Sequence, residues 1–263
     1  VRFFVERFIA RERVSVITVG LRAGLLVGIG LACFAGTGSG PRAASQNYSS
    51  LLHGRQCRPY HHGARQLPYW ARMRRMTVIV DSVLLGDGPA LRARRPCWRV
   101  QLYGRPALML DAAERELRAR HRRVARLVVI GVGYNSLWER RRRHYSHWAA
   151  RFDGQARRLL STLRGLGARQ FVWVTLREPT RRTVPPSGLG ELRSYAWYFP
   201  YVNDRLRRLD RRRGDLVLAR WAAVSRRRGL TYDAIHLNPD GARLMAKTVR
   251  ASIYVEARRQ SSR

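Results

Sequence analysis

The stretch TVIVDSVLLG, residues 77–86, carries an apolar, strand-like run straight into adjacent Asp81 and Ser82 before turning apolar again. Two kinds of chemistry fit that junction. A polar residue at a strand end can cap a following helix, or the hydroxyl can be a nucleophile. A serine hydroxyl attacks poorly at neutral pH unless a base takes its proton and a third group orients that base. The required types occur near the end of the chain, in YDAIHLNPDGARLMA, where Asp233 stands three residues ahead of His236. Asn238 there reads as an N-cap with Pro239 in the first helical turn, which leaves His236 on the preceding loop. Gly104 in YGR and Asn135 in GYN also follow strand-like runs. Each piece has an ordinary reading: Ser82 as a helix cap, Gly104 as a tight turn, Asn135 in an Asx-turn, Asp233 paired with an arginine. Taken singly, those readings are favoured for all but the histidine segment.

Such groups need a frame to bring them together. From Thr77 onward, strand-like runs occur at TVIV, WRVQLY (98–103), RLVVIGV (126–132), QFVWVT (170–175) and DLVLAR (215–220). Helical patterns lie between and after them, near 86–95, 106–122, 142–166, 193–213 and 239–257. This alternation predicts an α/β domain over 76–258 with a five-stranded parallel sheet covered on both faces, and a short tail at 259–263. Ligands of such sheets collect beyond the carboxyl ends of the strands. The chain holds no G-x-G-x-x-G after the first strand, no G-x-x-x-x-G-K-[ST] and no G-x-S-x-G, so dinucleotide, phosphate-loop and ordinary α/β-hydrolase readings lose support. The connection from Arg177 to Asn203 is long and rich in Pro, Gly and aromatics. Its Trp197, Tyr198 and Phe199 either line a pocket or pack the loop onto the domain, and packing is favoured.

The chain of 263 residues suits one α/β domain preceded by an amino-terminal extension. Lys+Arg 52 against Asp+Glu 17 gives a net charge of +35, a field that attracts nucleic acid, anionic lipid or acidic polymers. Lys247 is the only lysine, and the arginine runs 140–143, 211–213 and 226–228 sit beside helical patterns. Compositional bias on solvated faces accounts for this best, and no aromatic interleaving or helix-turn-helix cue accompanies it, so nucleic acid is not expected as a partner. Residues 1–36 combine a basic n-region with an apolar run, the pattern of an export signal or a signal anchor that would meet the membrane if uncleaved. An extracytoplasmic location, in the cell envelope or secreted, follows as an expectation. Residues 37–75 read as a linker. In an oxidising compartment Cys57 and Cys97 could form a disulfide, with two buried free thiols the equal alternative. His53, Cys57, His61 and His62 match no zinc spacing, and no metal is expected.

In order along the chain, Ser82, Gly104, Asn135 and His236 together resemble the four blocks of the SGNH (GDSL) hydrolase superfamily. VDSVLLG keeps Asp81, Ser82 and Gly86 of the first block, with Val80 where that family usually has glycine. Gly133 and Asn135 match Gly-x-Asn, and Asp233 to His236 match Asp-x-x-His. The resemblance covers about residues 77–257, and YGR and HLNPDGARLMA are also similar to SGNH domains of bacterial cell-surface O-acyltransferases. It implies a flavodoxin-like three-layer α/β/α fold and a serine esterase acting without a cofactor on short acyl esters, O-acetyl among them, of carbohydrates or small molecules. It further implies a catalytic Ser82, His236 and Asp233, an oxyanion hole from the Ser82 and Gly104 N–H groups and the Asn135 amide, and a supporting Asp81. Activity is expected despite Val80. An O-acyltransferase with the same triad, or a basic protein binding anionic polymer on an inactive SGNH scaffold, are the alternatives.

Overall fold

Five short strand-forming runs make one sheet: β1 (Arg75–Val80), β2 (Arg99–Gly104), β3 (Leu127–Gly131), β4 (Gln170–Val174) and β5 (Leu216–Ala219). This computed structural model describes residues 74–86, 88–94, 98–137, 142–194 and 196–261. The signal segment, nearly all of the linker, the histidine cluster and the Cys57–Cys97 pair expected from the sequence lie outside the described residues. All strands run parallel in the order β2-β1-β3-β4-β5. Position in that order explains which runs are uniformly apolar. β3 and β4 are buried at every residue and β1 at all but its first, as central strands covered on both faces must be. The edge strand β2 has no buried residue.

Helices α1 (Ser82–Leu85) and α2 (Gly88–Arg94) follow β1, α3 (Leu110–Arg120) follows β2, and α4 (Tyr145–Gly165) follows β3. After β4 come α5 (Leu189–Ser194) and α6 (Phe199–Arg211), and after β5 come α7 (Trp221–Val224) and α8 (Pro239–Ser261). α3, α4 and α6 pack side by side, whereas α8 packs on α2 and over β4 and β5. The result is the expected flavodoxin-like three-layer α/β/α fold. α8 continues to Ser261, past the point where a tail was expected. The winding direction reverses between β1 and β3, and the chain leaving these two strands carries Asp81-Ser82 and Gly133-Tyr134-Asn135.

Val80 is a normal strand residue, paired with Gly104 on one side and Gly131 on the other. Its side chain is fully buried, and the two glycines make room for it. A Cβ on Gly131 would stand 3.1 Å from Val80 Cγ1, and one on Gly104 2.7 Å from Val80 Cγ2 and 2.4 Å from the Val80 carbonyl oxygen. Gly104 therefore serves close strand approach, not a turn. The methyl groups of Val80 fill volume inside the sheet's cover and never reach the surface where a ligand would sit.

The long connection after β4 is largely ordered into short helices. Tyr198 and Phe199 are fully buried, as packing required, with their rings edge-to-face at 4.9 Å. Phe199 also meets the Tyr134 ring edge-on at 5.1 Å, so this segment supports the loop carrying Asn135. Buried Asn203 accepts from the Leu176 N–H at 2.7 Å and donates to the Leu176 carbonyl at 2.8 Å, fixing how the chain leaves β4.

Val80→Gly should lower unfolding free energy by ~2–4 kcal/mol in urea denaturation, since it empties a packed site and loosens the strand. Gly104→Ala should also destabilise, and Val80→Gly should not rescue it, because the added Cβ meets a backbone oxygen. Rescue in the double variant would contradict this packing.

Candidate active site

At the end of β1 the backbone stays extended through Asp81, with φ −91° and ψ −170°, and then enters α1. The cap is Asp81, not Ser82. Asp81 Oδ1 accepts from the Val83 N–H at 3.1 Å, and Oδ2 accepts from the Gly133 and Tyr134 N–H groups, both at 3.3 Å. One fully buried carboxyl thus satisfies the first turn of α1 and the turn after β3 together. Burial pushes the Asp81 carboxyl up to about 7, although the three N–H donors pull the other way.

Because Asp81 does the capping, the Ser82 hydroxyl is left for another partner. It lies 3.1 Å from His236 Nε2, across 154 positions of sequence. On the far side of the ring, His236 Nδ1 is 2.6 Å from Asp233 Oδ2. The second Asp233 oxygen, Oδ1, accepts from the Ile235 and His236 N–H groups, each at 2.7 Å. Among the described residues Asp233 therefore pairs with the histidine and its own loop, not with an arginine in contact.

That loop is a closed structure. Thr231 and Leu237 form an antiparallel bridge, the Tyr232 N–H donates to the His236 carbonyl at 2.9 Å, and the Asn238 N–H donates to the Leu230 carbonyl at 3.1 Å. Asn238 Oδ1 accepts from the Gly241 N–H at 2.9 Å, the N-cap expected from the sequence. Glu191 of α5 adds a carboxylate that accepts from the Ala234 N–H at 3.1 Å. The His236 side chain keeps 41% exposure, so the Ser82–His236 contact is open to solvent and to a ligand.

Burial alone would lower the His236 pKa, but the Asp233 bond and charge, with smaller help from Glu191 and Asp81, raise it above its ordinary 6.5. Burial likewise works against the Asp233 charge, yet its bonds to His236 and to two backbone N–H groups hold its pKa below the usual value. The imidazole is thus biased towards accepting a proton at Nε2 while Nδ1–H stays on the carboxylate.

Asn135 lies on the turn that Asp81 holds. Its side-chain Nδ2 is buried and has no hydrogen-bond partner among the described residues. A buried amide donor without an acceptor is costly, by about 1–3 kcal/mol, unless a ligand atom meets it. Gly104 ends β2 directly beside Val80, two positions before Ser82. The structure therefore joins Ser82, His236 and Asp233 in one chain of contacts and ties Asn135 to Ser82 through Asp81, with Gly104 on the adjacent strand end. Arg177, Thr231 and Glu191 also hold this region and were missed. An arginine among so many carries no sequence contrast. No group of three or more His, Cys, Asp or Glu side chains is gathered as a metal site among the described residues.

Together the sheet order and the strand-end site define a doubly wound α/β protein with a Ser-His-Asp constellation. More specifically, it has the fold of the SGNH (GDSL) hydrolases. A lipolytic protein of the G-D-S-L family from Veillonella parvula superposes with a TM-score of 0.53 at 11% identity, over 68% of this chain and 98% of that one. A GDSL-like lipase from Bacteroides thetaiotaomicron gives 0.52 at 10% identity, over 81% and 98%. An acetyl xylan esterase gives 0.50 at 15% identity, over 68% and 99%. No protein-family model matches the sequence, and no curated protein matches it.

An NMR titration of the His236 imidazole should give a midpoint above 6.5. Asp233→Asn should bring it down, because the interaction that raises the pKa is lost while burial, which lowers it, stays. A midpoint unaffected by Asp233→Asn would contradict the pairing.

Proposed function

We propose that this protein is a serine esterase of SGNH type that removes short acyl groups, acetyl foremost, from carbohydrate or small-molecule esters. The observation that carries the reading is the chain Asp233–His236–Ser82, with contacts of 2.6 and 3.1 Å. In this reading His236 Nε2 takes the Ser82 proton as Oγ attacks the ester carbonyl, and Asp233 holds the ring with Nδ1–H towards itself. The carbonyl oxygen gains negative charge as the centre becomes tetrahedral. The unpartnered Asn135 amide, with the Ser82 and Gly104 N–H groups, receives it. His236 then returns the proton to the leaving alcohol, and an acyl group remains on Ser82. Water, activated by the same His236, completes hydrolysis. A sugar hydroxyl in place of that water would make the same site an O-acyltransferase.

The acyl-carbohydrate substrate class draws support from the fold shared with an acetyl xylan esterase and from a histidine left open to bulky esters. Export is part of the proposal, resting on the basic and apolar pattern of residues 1–36. Among the described residues no helix is long and apolar enough to cross a membrane.

A fluorophosphonate probe should label the wild type and leave Ser82→Ala unlabelled. Asn135→Ala should slow labelling by about 10²–10³-fold, the loss of one oxyanion donor. The labelling rate should fall as pH drops through the His236 pKa, above 6.5, because only the neutral ring can accept the proton. An unlabelled wild type, or equal labelling of Ser82→Ala, contradicts the esterase. If DNA binding is instead tight and falls steeply with added salt, the basic binding protein is the better reading.

A further inference from the structure

Arg177, just past the end of β4, is fully buried, yet among the described residues no carboxylate touches it. Its guanidinium donates to three neutral oxygens: Thr231 Oγ1 at 2.5 Å, the Thr183 carbonyl at 2.7 Å and the Arg227 carbonyl at 3.2 Å. Taking a guanidinium out of water with only neutral acceptors is expensive. Burial accordingly pulls its pKa down, with Tyr134 and the Asp233 charge acting the other way. A hydrophobic side chain would fill the same volume at less cost, so the location of these bonds matters.

Together with the bond from the Arg177 backbone N–H, they join the two halves of the site. The Arg177 backbone N–H donates to the Tyr134 hydroxyl at 2.6 Å, on the turn that carries Asn135. The Arg177 side chain reaches Thr231, at the foot of the loop carrying Asp233 and His236. A guanidinium can only donate, so the Thr231 hydroxyl must accept from Arg177 and send its own proton elsewhere. That proton goes to the Asp233 carbonyl, at 2.7 Å. The side chain thus sets the direction of the Thr231 hydroxyl, and through it the backbone of the residue that orients the imidazole. Its remaining bonds tie Thr183 and Arg227, one on each flanking segment, to the same point.

We propose that Arg177 is a positioning residue that, through Thr231, locks the Asp233–His236 loop in register with the Asn135 turn. This rests on the esterase reading for its catalytic consequence, but not for its structural one. An error of about 1 Å between base and nucleophile is enough to cost on the order of a hundredfold in rate.

The test compares Arg177→Met, Arg177→Lys and Thr231→Val with the wild type. The readouts are kcat and KM for p-nitrophenyl acetate and the low-field NMR signal of the His236 Nδ1 proton. Removing the guanidinium or the hydroxyl should lower kcat by about tenfold or more with KM changed less than about twofold, and should broaden or shift the proton signal. Lysine keeps the charge but lacks the fork that spans three acceptors, so Arg177→Lys should not restore the wild-type signal. Full kcat and an unchanged signal in Thr231→Val overturn the proposal, as does full recovery by lysine. If Arg177→Met fails to fold, Thr231→Val, which leaves the arginine in place, decides. If the wild type hydrolyses nothing, the esterase reading fails, and the proton signal, which needs no turnover, still decides the role of Arg177.

Discussion

The arrangement depends on one buried carboxyl. Asp81 takes N–H groups from two segments that the pairing of β1 with β3 sets side by side, the first turn after β1 and the turn after β3. Burial makes the ionised form costly, as its raised pKa of about 7 records, and the three donors are what keep the group in place. Two consequences follow from that single bridge. The turn that carries Asn135 is pinned to the start of α1, where Ser82 stands. The α1 cap is also filled, so the Ser82 hydroxyl faces His236 instead of its own helix.

The other half of the site is held differently. Asp233 and His236 sit on a small closed hairpin stitched by its own backbone bonds and by neighbouring side chains. Gly188 presses on this hairpin so closely that a Cβ there would fall 2.6 Å from the Ala234 nitrogen. The segment after β4 therefore works as a brace: one stretch of it packs Tyr198 and Phe199 under the Asn135 turn, and another supports the histidine hairpin. Rigid support of this kind suits a reaction whose donors must be in place before charge develops.

Much of the frame was legible in the sequence because period and burial agree in a parallel sheet. After a leading Thr77 in TVIV and Gln170 in QFVWV, these two and LVVIG are apolar runs, and they became the buried part of β1, β3 and β4. Asn238-Pro239 was readable as a helix start because capping is local chemistry. Asp81 was harder: a carboxylate next to a serine looks like a supporting neighbour, and nothing local shows that one of its donors lies 52 residues away at Gly133. The aromatic run 197–199 could be read either as pocket or as packing, and only tertiary burial separated them. Val80 looked like a defect in the motif until its neighbours were known, since Gly104 and Gly131 belong to other strands and make its room from there. Arg177 was invisible for a different reason: among 52 basic residues, one buried arginine has no contrast.

The central claim is that Ser82 carries the acyl group between donor and acceptor. It is tested most directly by rapid quench of the protein with p-nitrophenyl acetate, followed by mass spectrometry of the digested chain. The account predicts a burst of p-nitrophenol matching the protein concentration, with acetyl on the peptide containing Ser82 and nowhere else. Turnover with an unmodified Ser82 peptide, or acetyl on another side chain, would contradict it.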